Sequence, residues 1–352
     1  MTRTVRIDVG AGYDVTVGPG LLDTCGGALA PLCRGGSAFV VSDSTVAPLY
    51  LARVRRSLEE AGLRVSSFVF PAGEKSKTLA TLGHMLEAMA EAGLTRSDLA
   101  VALGGGVTGD MTGFAAGVYQ RGISYVQLPT TVLAAVDSSV GGKTAVDLRA
   151  GKNMAGVFIQ PAAVLCDTDT FATLPEKWFR DGLAESIKYG ILTDRELFFR
   201  FDGLDRSEMP ELIARCVAIK GEYVHRDPLD CGDRRYLNLG HTMAHAMEKL
   251  SGYTLAHGHA VAMGTVMAAR YGERLGLTEA GTTEEICRIY SKNGLPVSCP
   301  YDAGALARAA SMDKKRTGGD VTVVLIETIG RCFLKKMPVS ELYELARLGL
   351  EG

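Results

Sequence analysis

This chain contains no CxxC pair. Its eight cysteines, at positions 25, 33, 166, 216, 231, 287, 299 and 332, are scattered. That argues against a thiolate zinc cluster and against the disulfide framework of a secreted protein, and it predicts a reduced cytoplasmic setting. An excess of charge of one sign is also missing. The formal net charge is -2, which provides no basic field for nucleic acid and no polybasic patch for a membrane surface. No apolar run approaches the roughly 18 residues that a membrane span needs. The N-terminal MTRTVRIDVGAGYDVTVG has no apolar h-region, so no signal peptide is predicted. Internal repeats and low-complexity segments are absent as well.

What is present suffices for a large core. The 352 residues are 47% hydrophobic, enough for one large or two ordinary domains. The N-terminal segment reads as two short strands around a turn. SAFVVSD (37–43), RVSSFVFP (64–71), DLAVALGGG (98–106) and ISYVQLP (123–129) then read as strands, with helical patterns between them. Strands alternating with helices predict an α/β unit with a parallel sheet. From about residue 175 helical periodicities dominate, at 176–190, 209–226, 235–251, 257–276 and 281–294. A strand (320–330) and a last helix follow. The turn and cap signals of CDTDTFATLP place a boundary near 170, giving an α/β domain over 1–170 and a mainly helical domain over 171–352.

Glycines mark the first candidate site. GGGVTGD (104–110) follows a strand-like run directly. Glycines at a strand-to-helix turn let backbone approach a phosphate, and the helix N-terminus favours negative charge; a tight turn without ligand is the plainer role. Asp43 ends an earlier strand, where an acid can hold a ribose hydroxyl or simply cap a helix. PAGEKSK (71–77) and LPTT (128–131) also follow strands, where an open α/β sheet has its ligand crevice. Together they suggest a dinucleotide, NAD. VDSSVGGKTAVD (136–147) and GKNMAG (151–156) read as loops that can cradle an anion or as plain surface turns.

Four of the six histidines fall between Arg234 and His259. Arg234, Asn238, His241, His245 and Glu248 have the spacing of one helix face. Burying such groups costs free energy unless they find partners, and a metal or an anion supplies them. Histidines at i and i+4 can share an ion, and HGH (257–259) offers two more imidazoles. Zinc suits such ligands, though other transition metals fit. In RDGLAESIKYG (180–190), Glu185 and Lys188 form either a surface pair or, in their apolar surroundings, part of the site; Glu185 is the preferred third ligand. Lys143, Lys152, Lys188, Lys220, Arg234 and Lys314 all lie in motif-like contexts. With a metal and a dinucleotide, they imply a small, doubly anionic, polyhydroxylated substrate.

The stretches PAGEKSK, GGGVTGDMTGFAAG, YQRG, PTT, DSSVGGKTAVD, GKNMAG, TLPEKWFRDGLAESIKYG, RRYLNLGHTMAHAMEKL, HGHAVAMG and DKK run in one order over roughly residues 40 to 330. In that combination the chain resembles the 3-dehydroquinate synthases, of the sugar-phosphate cyclase superfamily. The resemblance implies a Rossmann-like NAD domain, a helical metal domain and a homodimer. It implies Glu185, His241 and His257 as ligands of zinc or cobalt. It implies Asp43, Glu74, Lys77, Gly105, Gly106, Val107, Asp110, Thr130 and Thr131 at the NAD site, with Lys143, Lys152 and Thr173 beside them. Asp137, Lys143, Asn153, Lys188, Lys220, Arg234, Asn238, His245 and Lys314 would surround the substrate, and Arg121 would reach a neighbouring subunit's site. The implied reaction takes 3-deoxy-D-arabino-heptulosonate 7-phosphate to 3-dehydroquinate through transient oxidation with NAD, β-elimination of phosphate, reduction and aldol closure. Sibling cyclases that make 2-deoxy-scyllo-inosose or 2-epi-5-epi-valiolone, and metal-dependent polyol dehydrogenases, are the alternatives. His259 departs from the family, which more often has an acidic residue there, so either imidazole of HGH can be the ligand.

Overall fold

The two N-terminal runs pair with each other: β1 (Arg3–Ile7) and β2 (Tyr13–Gly18) are antiparallel, with Arg3 opposite Val17. The computed structural model describes residues 1–311 and 319–351. From α1 (Leu21–Leu29) the chain alternates: β3 (Ser37–Asp43), α2 (Ala47–Glu60), β4 (Arg64–Phe70), α3 (Leu79–Glu91), β5 (Leu99–Gly104), α4 (Gly106–Val118) and β6 (Ser124–Pro129). β7 (Lys143–Leu148) and β8 (Gly151–Phe158) form a separate hairpin, and β9 (Ala163–Asp167) rejoins the sheet. The seven-stranded order is β1-β2-β9-β6-β5-β3-β4, and every pairing except β1 with β2 is parallel.

Alternation along the strands sorts side chains to two faces. Ala38, Val40, Leu99, Val101, Leu103, Val126 and Leu128 pack with Leu22 and Leu29 of α1 and Val54 and Leu58 of α2. Phe39, Val41, Ala100 and Tyr125 pack with Leu82 and Met85 of α3 and Met111 and Phe114 of α4. Both faces are therefore covered, which is why β5, LAVALG, is buried along its whole length. The order reverses at β3: β4 lies on one side and β5 on the other. In such sheets ligands bind outside the carboxyl ends of the strands at that switch point.

Residues 143–148 and 151–158 are strands, not the loops expected from their glycines and lysines. Thr144 and Val146 point inward at period two, but flanking Gly, Lys and Asn mask the alternation. The hairpin lies close against α4, where Gly113 leaves room for the Thr144 methyl.

After β9 come α5 (Glu176–Thr193), α6 (Arg195–Arg200), α7 (Met209–Arg226), α8 (His241–Leu250), α9 (His257–Arg274), α10 (Thr282–Lys292) and α11 (Ala303–Ser311). The antiparallel β10 (Asp320–Thr328) and β11 (Arg331–Pro338) and then α12 (Leu342–Leu350) follow. The chain divides into two units: Met1–Leu174 with Met209–Leu229, and Pro175–Glu208 with Asp230–Gly352. Thus α7, although it lies among the helices in sequence, belongs with the sheet.

One expectation fails in the histidine-rich segment. Residues 235–251 are not one helix, so Arg234 and Asn238 do not share a helix face with His241, His245 and Glu248. Asp233–Asn238 is a 3-10 turn, Gly240 is left-handed at φ 78, and α8 starts at His241. A Cβ on Gly240 would stand 2.8 Å from the Val261 carbonyl oxygen and 2.8 Å from the Thr265 amide nitrogen. The break is thus set by close approach to α9, which the local spacing does not encode.

Candidate metal centre and cofactor edge

In the first unit, the residues expected at a cofactor gather along the carboxyl edge of the sheet. Asp43 ends β3, Glu74 and Lys77 follow β4, Gly105 and Gly106 open α4 after β5, and Thr130 and Thr131 follow β6. One Asp43 oxygen accepts the Thr45 and Val46 amides at 2.8 and 3.1 Å, and the other faces the Thr108 hydroxyl at 3.4 Å. Asp43 therefore caps the turn into α2. The N-terminus of α4 has no side-chain cap, and Val107 lies in this first turn. The Thr131 hydroxyl accepts the Ala134 amide at 3.1 Å, and Thr130 is buried.

Lys77 anchors a polar knot beside these loops. Its buried ammonium donates to Asp110 at 2.6 Å and to Asn153 at 2.5 Å. Asn153 takes a left-handed backbone, φ 55, and its amide donates to Asp147 at 2.8 Å. Burial pushes the Asp110 carboxyl up to about 6, and the Lys77 ammonium offsets only part of that. Burial also opposes the charge on Lys77, but Asp110 and Glu74 more than compensate and hold it above its usual value. A perturbed, partly buried pair in a sheet crevice is a mark of a functional site.

Other expected residues are engaged elsewhere in the first unit. Lys152 pairs with Glu74 at 3.5 Å. The Lys220 ammonium is held by Asp137, through its carbonyl at 2.5 Å and its carboxylate at 2.7 Å. Asp137 sits in a π-turn, Ala134–Ser138, a geometry common at functional sites and invisible to periodicity. Lys143 begins β7 and is exposed. Thr173 shares a 2.5 Å hydrogen bond with the Tyr50 hydroxyl. Arg121 is exposed on a turn where Gln120, Arg121 and Gly122 all have positive φ. Lys314 lies outside the described residues.

In the second unit, three helices bring donors to one point. Glu185 of α5 is fully buried. His241 and His257 are the first residues of α8 and α9. Their Nε2 atoms lie 3.6 and 3.5 Å from the same Glu185 oxygen, Oε1. All three donor atoms fall within 4.8 Å of one another. Two ligands each about 2.0–2.1 Å from a tetrahedral ion stand roughly 3.3 Å apart, so the spacing fits zinc or a similar ion.

The far nitrogens of both rings are held so that this pattern follows. His241 Nδ1 is 3.0 Å from the Leu239 carbonyl, and His257 Nδ1 is 3.4 Å from Glu248 Oε1. Those oxygens accept, so each Nδ1 carries a proton, and in the neutral ring that a metal requires this leaves Nε2 as the ligating nitrogen. Burial, reinforced by the Lys188 ammonium, holds His241 well below its usual value, so it stays neutral. Burial also opposes charge on His257, but Glu185 and Glu248 outweigh it and push the ring up to about 10. The site calls for a cation at that point, and a divalent ion answers the demand as a proton does. Lys188 pairs with Glu185 and donates to the Leu237 carbonyl at 2.6 Å. His245 is exposed, its ring 5.4 Å from His241 and 6.4 Å from His257. Arg234 is buried and Asn238 exposed on the 3-10 turn. His259 is not in the donor triad and faces Asp181 instead. Asp181 was not singled out from sequence; its only signal there is its place one turn before Glu185.

Known proteins resemble this chain along most of its length. The family sequence model described as 3-dehydroquinate synthase N-terminal matches residues 67–181, and that described as 3-dehydroquinate synthase C-terminal matches residues 182–316. A curated 3-dehydroquinate synthase from Xanthomonas axonopodis pv. citri (strain 306) is 46% identical over 349 residues, 94% of each chain. Among solved structures, 2-epi-5-epi-valiolone synthase from Streptomyces hygroscopicus subsp. jinggangensis 5008, with NAD+ and Zn2+ bound, is 28% identical with a TM-score of 0.86 over 97% of each chain. A 2-deoxy-scyllo-inosose synthase complexed with carbaglucose-6-phosphate, NAD+ and Co2+ shares the fold, with a TM-score of 0.88 over 99% of each chain at 24% identity. Both halves of the sequence thus match one family in order, and the chain belongs to the 3-dehydroquinate synthases.

Proposed function

We infer that this chain is a 3-dehydroquinate synthase, converting 3-deoxy-D-arabino-heptulosonate 7-phosphate to 3-dehydroquinate and phosphate. The observation that carries the reading is the Glu185, His241 and His257 triad, with an oxygen acceptor at the Nδ1 of each ring, inside a chain of this family. When bound, NAD+ supplies a reversible two-electron oxidant and zinc or cobalt a Lewis acid that acidifies substrate hydroxyls.

The chain's own residues bind, orient and move protons. The NAD site is proposed at Asp43, Glu74, Lys77, Gly105, Gly106, Val107, Asp110, Thr130 and Thr131. Lys143, Asn153, His245, Lys314 and Arg121 of a neighbouring subunit hold the phosphate in this reading. Lys220 and Arg234 hold the carboxylate, with Lys220 oriented by Asp137. Asn238 orients the substrate's hydroxyls. Lys188 keeps the buried Glu185 charge balanced. The leaving phosphate can take the proton lost in elimination, and His245, its ring 5.4 Å from that of His241, is the side chain proposed for further proton transfer. The chain is proposed to act as a cytoplasmic homodimer. Among the described residues no helix is long and apolar enough to cross a membrane.

The test is phosphate release from the heptulosonate phosphate with NAD+, before and after chelation, with the product identified by mass. Release that stops on chelation, yields dehydroquinate and accumulates no NADH supports the reading. Turnover of glucose 6-phosphate or sedoheptulose 7-phosphate instead assigns a sibling cyclase, whose substrates have no carboxylate for Lys220 and Arg234.

A further inference from the structure

The departure at His259 leads to a contact between the two helices that carry Glu185 and His257. α9 begins at His257 after Ala256, a residue with no side-chain cap to offer. Its first-turn amides need acceptors. Asp181 of α5 provides one: Oδ1 accepts the His259 backbone amide at 3.1 Å, and the His259 ring Nδ1 is 3.1 Å from the same oxygen. Asp181 is buried, and its negative charge at a helix N-terminus is favourable. Between the two ring-bearing residues lies Gly258, where a Cβ would overlap the Asp181 carbonyl oxygen. Backbone contact, cap and side-chain hydrogen bond therefore pin the first turn of α9 to one turn of α5.

That turn bears the ligands. Glu185 is four residues after Asp181, on the same helix face, and His257 is two residues before His259. Any slip between α5 and α9 changes the distance from Glu185 Oε1 to His257 Nε2, now 3.5 Å. We propose that Asp181 and His259 are a positioning pair that sets the affinity and coordination geometry of the metal site. The inference rests on the metal reading above. It concerns residues that touch neither the ion nor the substrate.

The experiment measures zinc dissociation constants by chelator competition, and visible spectra with Co2+ in place of zinc, on the full chain. Variants are His259→Ala, Asp181→Ala, both together, and the conservative His259→Gln and Asp181→Asn, with thermal melting recorded alongside. Either alanine should weaken zinc binding by about 10-fold or more, as loss of groups that orient ligands does. The double variant should be little worse than the poorer single one, the Co2+ spectrum should shift, and His259→Gln should recover much of the loss. Should Asp181→Ala fail to fold, His259→Gln against His259→Ala decides alone. Unchanged zinc affinity and Co2+ spectrum in variants that only melt earlier would overturn the proposal, leaving a plain helix contact. A wild-type chain that takes up no zinc sinks the metal reading itself, a result separate from any difference among variants.

Discussion

Two carboxylates, half-buried Asp110 and fully buried Glu185, meet desolvation in different company. Glu185 has an ammonium and two imidazoles around it. Asp110 has the Lys77 ammonium, and its carboxyl is still raised to about 6. Folded Asp110 thus binds a proton more tightly than the unfolded chain, whose value is 3.8. Stability then falls as pH rises from about 4 through 6, and the loss persists above that window. That difference corresponds to roughly 3 kcal/mol as an upper figure. Urea unfolding of the wild type and Asp110→Asn at pH 4 and pH 7 should show a flatter profile in the variant; parallel profiles would refute this. At the triad, His241→Ala removes a neutral donor whose tautomer is fixed by Leu239. Zinc content should drop below stoichiometric, and turnover should fall by at least ~100-fold. Retained activity with bound zinc would count against the ligand set.

At the scale of elements, two glycines decide where helices begin. Gly240 ends the 3-10 turn at φ 78 and lets α8 start at His241. Alanine there meets the left-handed penalty of about 1–2 kcal/mol. It also meets α9 backbone at 2.8 Å, so a total near 3 kcal/mol is expected with zinc affinity reduced, checked by denaturant melts and chelator competition. Gly258→Ala sets a helix-propensity gain of about 1 kcal/mol against overlap with the Asp181 carbonyl. Overpacking typically costs about 1–3 kcal/mol, and here the opposing atom is backbone, so destabilisation should win. A stabilised Gly258→Ala protein would show that α5 and α9 separate freely.

For the whole molecule, two units with separate chemistry predict separate responses to ligands. The three proposed metal ligands all belong to Pro175–Glu208 with Asp230–Gly352. Zinc at a hundredfold excess over its dissociation constant should stabilise by about 2.7 kcal/mol. Hydrogen exchange on zinc addition should slow at α5 and the first turns of α8 and α9, and leave β3, β5 and β6 unchanged. NAD+ should protect the carboxyl edge of the sheet instead. Protection by zinc centred on the sheet would place the ion elsewhere.

Much of this was legible in the chain itself. Near-continuous apolar runs at 37–43, 98–106 and 123–129 set the parallel sheet, because burial on both faces demands them. Motif and resemblance single out Glu185, His241 and His257 as candidates, since ligand residue types are chemically restricted, and the fold brings these three together. Tertiary structure alone decided the rest. It broke 235–251 at Gly240, since a glycine's conformation depends on what packs against it. It turned the glycine- and lysine-rich 143–158 into a hairpin by laying it on α4. It set His257 rather than His259 beside Glu185, because two imidazoles two residues apart at a helix start point to different neighbours: one to Glu185, the other to Asp181. Sequence determined which groups were available to bind a metal, and the convergence of α5, α8 and α9 decided which of them share a point in space.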